Sequence, residues 1–185
     1  MSQVALTFDD GPHPVHTPRV LAALAAHNAR ATFFLVGRRA ERFPDVARAV
    51  RDAGHEVGNH SYSHRHAWLL GAAATRAEVA AGSAALERVL GYRPTLYRPP
   101  WGARNPWMNA ALRETGLRLV LWTRDGRDWL PWATVEGLVR RVGEGAAPHS
   151  IIDLHDDREV LASALPRILE LLARRGLRCV PLSQL

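Results

Sequence analysis

The sequence contains no lysine and a single cysteine, Cys179. One thiol excludes an internal disulfide, so the fold must be stabilised by a packed core. The neighbours Leu177, Val180 and Leu182 predict that Cys179 is a small residue of that core. All 24 strong cations are arginines, and they are mixed with acids, as over residues 38–42, rather than clustered with aromatic residues. Despite a formal net charge of +6, we therefore expect no nucleic-acid partner.

Long apolar runs are also missing. No run reaches the roughly 18 residues needed to cross a bilayer, so we expect no transmembrane segment. The first predicted strand starts within a few residues of Met1, which leaves no room for a secretory leader inside this sequence. Two locations stay open: cytoplasmic if Met1 is the native start, and extracytoplasmic if a leader has been removed.

What is present is an alternation of strand-like and helix-like segments. The predicted strands cover residues 4–8, 31–36, 55–58, 95–97, 117–122, 151–154 and 177–180. The predicted helices cover residues 20–26, 45–53, 75–90, 105–114, 134–142 and 160–174. Alternation of this kind is typical of parallel strands with crossover helices, and it fits an open sheet and a barrel equally well. No linker or repeat divides residues 1–185, so we predict a single domain.

Chemically active side chains follow five of these strands. They are Asp9 and Asp10, His60 and His64, Arg98, Asp125 and Asp128, and His155 and Asp156. The carboxyl ends of parallel strands meet at one edge, where the loops build active sites. The sequence therefore predicts an active site at that edge.

His60 and His64 are four residues apart in the segment HSYSH. On a helical turn they would share one face and reach one metal ion. A carboxylate as third ligand would leave an open position, as catalytic zinc sites require. The alternative is a solvated loop that happens to contain two histidines.

Asp9 and Asp10 directly follow the first strand. Adjacent strand residues point to opposite faces, so we expect different roles, one acid binding metal and the other accepting a proton. The alternative is a simple turn, because Asp-Gly-Pro at residues 10–12 is common turn chemistry.

Five motifs occur in order along the chain: TFDDGP at residues 7–12, HSYSH at 60–64, RPPWG at 98–102, DGRDW at 125–129 and LHD at 154–156. Together they resemble the motifs of the polysaccharide deacetylases, the NodB-homology domain or carbohydrate esterase family 4. The resemblance covers nearly the whole chain. It implies a distorted (β/α) barrel with about seven strand–helix units. It also implies a metal-dependent hydrolase that removes N-acetyl groups from glycans containing N-acetylglucosamine, such as chitin oligomers or peptidoglycan.

The resemblance implies a metal site formed by Asp10, His60 and His64. Zinc is the first expectation for the metal, with cobalt, nickel and manganese as alternatives. The expected partner of the site is an N-acetylated oligosaccharide or polysaccharide.

Catalytic roles are also implied by the resemblance. Asp9 would be the general base, oriented by Arg98. His155 would be the general acid that protonates the leaving amine. Asp128 would hold His155 and raise its pKa, with Asp125 as a second candidate.

Four further residues are expected to contact the substrate. The backbone amide of Trp101 would help to stabilise the oxyanion, and Trp129 would form a wall of the acyl pocket. Pro99 and Leu154, which belong to the motifs at 98–102 and 154–156, complete the expected set.

Asp153 departs from the family pattern, which usually has an apolar residue, commonly leucine, two positions before the acid histidine. Strand alternation places Asp153 on the same face as His155, and a buried carboxylate there is costly unless it is paired. We consider a pairing with Arg124 or Arg127, or a pocket for a smaller or more polar acyl group such as formyl or glycolyl. A third interpretation is an interior that tolerates a satisfied aspartate.

Other functions are compatible with the same fold. One is a hydrolase for a different acyl group, an O-acetyl ester or a non-sugar amide. A non-catalytic glycan-binding module is another, although such a module needs neither Asp9 nor His155. The intact metal set argues against a metal-free hydrolase.

Overall fold

Eight short strands, all paired in parallel, form one sheet in the computed structural model, which describes residues 2–185. The strands are β1 Ser2–Asp9, β2 Thr32–Leu35, β3 Glu56–Asn59, β4 Leu96–Tyr97, β5 Arg118–Leu119, β6 Arg124–Asp125, β7 Ile151–His155 and β8 Leu177–Cys179. Their order is β5-β4-β3-β2-β1-β7-β6, and β8 pairs with the start of β1. Within the described residues β5 and β6 do not pair with each other, so the barrel stays open between them. The predicted distorted barrel is confirmed.

Seven helices connect the strands. They are α1 His16–Ala26, α2 Gly37–Arg42, α3 Pro44–Asp52, α4 Ala72–Leu90, α5 Met108–Thr115, α6 Val135–Leu138 and α7 Glu159–Arg174. A π-helical turn, Val139–Glu144, continues α6, and the Thr134 hydroxyl caps the first turn of α6. None of the helices in residues 2–185 has the length and apolar character needed to cross a membrane.

Three elements differ from the prediction. The strand predicted over residues 117–122 is shortened to Arg118–Leu119, because the chain leaves the sheet after pairing with β4. Strand β6 lies beyond the predicted range, where the chain re-enters the sheet beside β7. Helix α2 was not predicted, because its six residues, GRRAER, carry no apolar period. It starts directly after β2 and buries only Gly37 and Ala40.

The central strand β1 divides the interior into two faces. Leu6 and Phe8 are fully buried in the main core, between the sheet and the helices. Thr7 and Asp9 alternate with them and face the other side, where Arg98 crosses the barrel interior. The apolar core and the polar site are therefore built from alternate residues of the same strand.

Helix α4 rests directly on the end of β3. A Cβ atom at Gly82 would lie 2.4 Å from the Asn59 side-chain oxygen and 2.8 Å from the Ser61 carbonyl carbon. The Asn59 amide also donates to the Val79 carbonyl at 2.9 Å and to the Ser83 hydroxyl at 3.0 Å. This close approach fixes the segment that carries His60.

We expect Gly82→Ala to destabilise the protein by about 1–3 kcal/mol, because the added methyl group must displace backbone atoms. The roughly 1 kcal/mol by which alanine favours a helix over glycine offsets only part of this cost. Denaturant unfolding measures the effect. Gly71→Ala is the matched control, since no atom lies within 4 Å of its added Cβ. Unfolding of Gly82→Ala at the wild-type midpoint would contradict the tight contact.

Candidate active site

The carboxyl ends of the strands enclose a cavity of about 340 Å³. The predicted site residues that line it are Asp9, Asp10, His60, His64, Trp101, Asp125, Trp129, Asp153 and His155. Asp9 and His155 are direct partners in the register between β1 and β7. The structure thus brings most of the predicted residues together at the predicted edge of the sheet.

Asp10, His60 and His64 converge on one point. Their ligand atoms all lie within 4.8 Å of one another. The Oδ1 atom of Asp10 is 2.8 Å from His64 Nε2 and 3.4 Å from His60 Nε2. His60 Nδ1 lies 2.7 Å from the carbonyl oxygen of Arg98, which leaves Nε2 free for a metal. Two imidazoles and one carboxylate fit a catalytic metal site with an open position.

The Asp10 carboxylate is prepared for a cation. Burial by itself would raise the pKa of Asp10, but the neighbouring His60 and His64 lower it far below its usual range. The carboxylate is therefore ionised at neutral pH.

The backbone that presents these ligands differs from the prediction. Residues 60–64 do not form a helical turn, because Ser61 and His64 adopt left-handed φ angles of 64° and 59°. The amides of Gly37 and Arg38 bind the Ser61 and Tyr62 carbonyls at 2.9 Å and 3.0 Å and hold the loop in place.

Strand alternation predicts that Asp9 and Asp10 face opposite sides, but in the structure they do not. Asp10 lies just beyond β1 and has a φ angle of 72°, so the backbone turns and both carboxylates line the cavity. The left-handed conformation replaces the alternation of the strand. Two different acids can therefore act on the same small volume.

Arg98 crosses the interior beneath Asp9. Its side chain is fully buried, and Nη1 donates to Asp9 Oδ1 at 2.9 Å and to the Thr7 hydroxyl at 2.7 Å. The guanidinium lies 4.2 Å from the centre of the Phe34 ring. Asp9 is thus held in one orientation by a buried cation, as the resemblance implies.

Asp128 binds His155 twice. One carboxylate oxygen is 2.8 Å from His155 Nδ1, and the other accepts the His155 backbone N–H at 2.7 Å. Burial lowers the pKa of His155, but the carboxylate of Asp128, followed by Asp153 and Asp9, outweighs it and raises the pKa to about 10. Asp125 accepts the Arg127 amide instead, at 2.7 Å, so Asp128 is the residue that contacts His155.

Asp153 pairs with neither Arg124 nor Arg127, and these two expectations are wrong. Its Oδ1 atom accepts from Arg98 Nη1 at 3.0 Å. Register is the reason, since Asp153 lies opposite Thr7 on the face towards Arg98. Burial, and then the charge of Asp9, raise the pKa of Asp153 well above its usual value.

Leu154 and Pro99 do not contribute to the cavity. Leu154 is fully buried in the main core, because it alternates with Asp153 and His155 along β7 and points to the opposite face. Pro99 is buried beside Arg98 and does not reach the cavity wall. Two lining residues, Trp122 and Arg158, were missed. Trp122 is the last residue of the predicted strand 117–122, and its position at a carboxyl end could have indicated a place in the site.

Trp101 and Trp129 form the rim of the cavity. They are 59% and 47% exposed, and the Trp101 ring lies 4.4 Å from the His64 ring. Trp101 has a left-handed φ angle of 55°, which turns the RPPWG segment sharply after Arg98. Both indoles are free to meet a molecule that enters from outside.

We expect Asp128→Asn to lower the pKa of His155 from its value of about 10, because the strongest opposing carboxylate is lost while burial still lowers the pKa. NMR titration of the His155 ring protons measures this shift. A pKa that stays near 10 in the variant would show that Asp128 is not its cause. Asp125→Asn is the control and should leave the His155 titration unchanged.

The free energy of unfolding should also depend on the ion pair of Asp128 and His155. The pKa of His155 is about 10 in the folded protein, above its ordinary value of 6.5. The ion pair of Asp128 and His155 therefore stabilises the fold fully below pH 6.5, and this stabilisation is lost as the pH rises through 10. The difference in unfolding free energy between wild type and Asp128→Asn should therefore shrink over this range.

Comparison with known proteins agrees with this geometry. Residues 2–120 match the family model for polysaccharide deacetylases. The chain is 37% identical to a peptidoglycan-N-acetylglucosamine deacetylase of Bacillus cereus, over 98% of this chain and 87% of the relative. It is 36% identical to a chitooligosaccharide deacetylase of Azorhizobium caulinodans, over 84% and 74% of the two chains. A family 4 carbohydrate esterase from Streptomyces lividans, solved in complex with acetate, superposes with a TM-score of 0.90 at 36% identity, over 96% and 91% of the chains. This chain belongs to the polysaccharide deacetylase family.

Proposed function

We propose that this chain is a metal-dependent deacetylase that hydrolyses the N-acetyl group of N-acetylglucosamine units in peptidoglycan or chitin oligomers. The observation that carries the proposal is the single cavity that holds a three-ligand metal set together with Asp9 and His155. The relatives named above act on glycans of these two kinds.

Asp10, His60 and His64 would hold the metal, and zinc suits two imidazoles and one carboxylate best. A divalent cation in this site supplies Lewis-acid chemistry, because it makes water more acidic and polarises a carbonyl group. The contact between His60 Nδ1 and the Arg98 carbonyl fixes the tautomer that presents Nε2 to the ion.

Asp9 would take the proton of the attacking water. Its Oδ1 atom is occupied by Arg98, while Oδ2 lies 3.8 Å from His60 Nε2, on the side of the metal set. The free oxygen is therefore directed at the volume where water and the amide carbonyl meet.

His155 would donate a proton to the amide nitrogen as the carbon–nitrogen bond breaks. With a pKa of about 10 it carries this proton at neutral pH. An amine is a poor leaving group until it is protonated, so a proton donor at this position suits amide hydrolysis. Asp128 keeps Nδ1 occupied and leaves Nε2 to act.

The exposed indoles of Trp101 and Trp129 would contact the sugar and the acyl group, and the Trp101 amide would help to stabilise the oxyanion. A non-catalytic glycan-binding module would use the same rim. Such a module would not need the two buried ion pairs, Asp9 with Arg98 and Asp128 with His155. Because ion pairs are costly to bury, their presence here favours a catalytic role.

Removal of one ligand should abolish stoichiometric metal binding. We expect His64→Ala to weaken zinc affinity by more than the roughly 10–100-fold that the loss of an outer hydrogen-bond partner costs. Calorimetric zinc titration of metal-stripped protein measures the change. His66→Ala is the matched control, since His66 stacks on Trp101 but is not part of the metal set. Equal affinities for the two variants would refute the assignment.

Activity should depend on Asp9 separately from the metal. We expect zinc- or cobalt-loaded protein to release acetate from N-acetylglucosamine oligomers, and Asp9→Asn to reduce the rate by about 10²–10⁴-fold. Metal content should be retained in this variant, because Asp9 is not in the three-ligand set. Undiminished release by metal-loaded Asp9→Asn would place the base elsewhere. Asp45→Asn, an exposed carboxylate on α3, is the control.

A further inference from the structure

Asp153 lies one layer deeper in the cavity than the proposed catalytic pair. In the register between β1 and β7, Asp9 is opposite His155, and Thr7 is opposite Asp153. Because residues two apart share a face of a strand, all four side chains point into the barrel interior. Asp9 and Asp153 even share one nitrogen, Nη1 of Arg98.

The acyl end of a substrate is the part that reaches this layer. The fully buried Arg98 side chain lies behind the Asp9 and Asp153 carboxylates, so these two residues form the inner wall of the cavity of about 340 Å³. An amide whose carbonyl lies between Asp9 and His155 therefore directs its sugar outwards and its acyl substituent inwards. Trp122, Trp129 and Asp153 are lining residues that can contact this substituent.

Asp153 has one oxygen to offer there. Its Oδ1 atom is bound to Arg98, whereas Oδ2 has no hydrogen-bond partner among residues 2–185. Asp153 lines the cavity, so this oxygen can contact a group that enters it. A methyl group placed against it would leave a buried polar atom unpaired. A hydroxyl group would satisfy it, and could do so as donor or as acceptor.

We propose that Asp153 determines acyl specificity, and that the enzyme removes hydroxyl-bearing N-acyl groups, of which N-glycolyl is the smallest, in preference to N-acetyl. The inference rests on the proposed deacylase function. The reaction is a hydrolysis: the oxygen of water bonds to the acyl carbon, the carbon–nitrogen bond breaks, and glycolate and the free amine result. Asp9 takes the proton of the water, and His155 supplies one to the nitrogen.

The test compares N-glycolylated and N-acetylated glucosamine oligomers of equal length with zinc-loaded protein. We expect kcat/KM to favour the glycolyl substrate by about 10-fold or more, because a site built for a hydroxyl group rejects the analogue that lacks it. Asp153→Leu should reverse the preference. Asp153→Asn keeps a polar side chain beside Arg98 and should retain a preference for glycolyl.

The ratio of the two kcat/KM values separates specificity from damage. Loss of an Arg98 partner in Asp153→Leu would slow both substrates alike and cancel in the ratio. Asp125→Asn removes another carboxylate of the same cavity and should keep the wild-type ratio.

Each failure has its own meaning. A wild-type preference for acetyl, or for a formyl substrate, would overturn the inference and leave the deacylase in place. An unchanged ratio in Asp153→Leu would do the same. Release of no acyl group by zinc-loaded protein would overturn the proposed function itself.

Discussion

The buried guanidinium of Arg98 is the contact on which the rest of the site depends. Its side chain is completely removed from solvent, which is tolerable only because its hydrogen-bond partners are charged or polar. Asp9, Thr7 and Asp153 all approach Nη1 within 3.0 Å. Loss of Arg98 would leave Asp9 without its counterion and Asp153 without its hydrogen-bond donor, a larger perturbation than the loss of any one of its partners.

The backbone of the same residue organises the metal side. The carbonyl oxygen of Arg98 lies 2.7 Å from His60 Nδ1, and its amide donates to the Asn59 carbonyl at 3.0 Å. One residue therefore orients a metal ligand through its main chain and the proposed base through its side chain. The relative positions of ion and base are coupled by covalent geometry, which suits a reaction that needs both within a few ångströms.

Local sequence rules predicted much of this arrangement. Strand alternation and the placement of acids and histidines after the strands were sufficient to predict the edge of the sheet where the site lies. They were insufficient where the backbone leaves regular geometry. Asp10, Ser61 and His64 have left-handed φ angles, and their segments are held by contacts with α2 and α4, which are distant in sequence.

The partner of Asp153 could not be predicted for a related reason. Arg124 and Arg127 are near it along the neighbouring strand, whereas Arg98 is separated from it by 55 residues. Only the register of β7 against β1 brings the two together, and a register is a property of the sheet rather than of one segment. Leu154 was expected to contact the substrate because it precedes His155 in sequence. It does not do so, because it lies on the opposite face of β7.

Charge balance distinguishes Asp153 from Asp9, Asp10 and Asp128. Asp10 has the two imidazoles and the proposed ion, Asp128 has His155, and Asp9 has Arg98. Asp153 has no cation of its own and shares Arg98 with Asp9. Burial and the charge of Asp9 accordingly raise the pKa of Asp153, which favours its neutral form. A neutral carboxylic acid is uncharged, as an apolar residue at this position would be. Unlike an apolar residue, it adds a hydrogen-bonding group. Asp153 can therefore change which acyl group the cavity accepts without disturbing the ion pairs that orient Asp9 and His155.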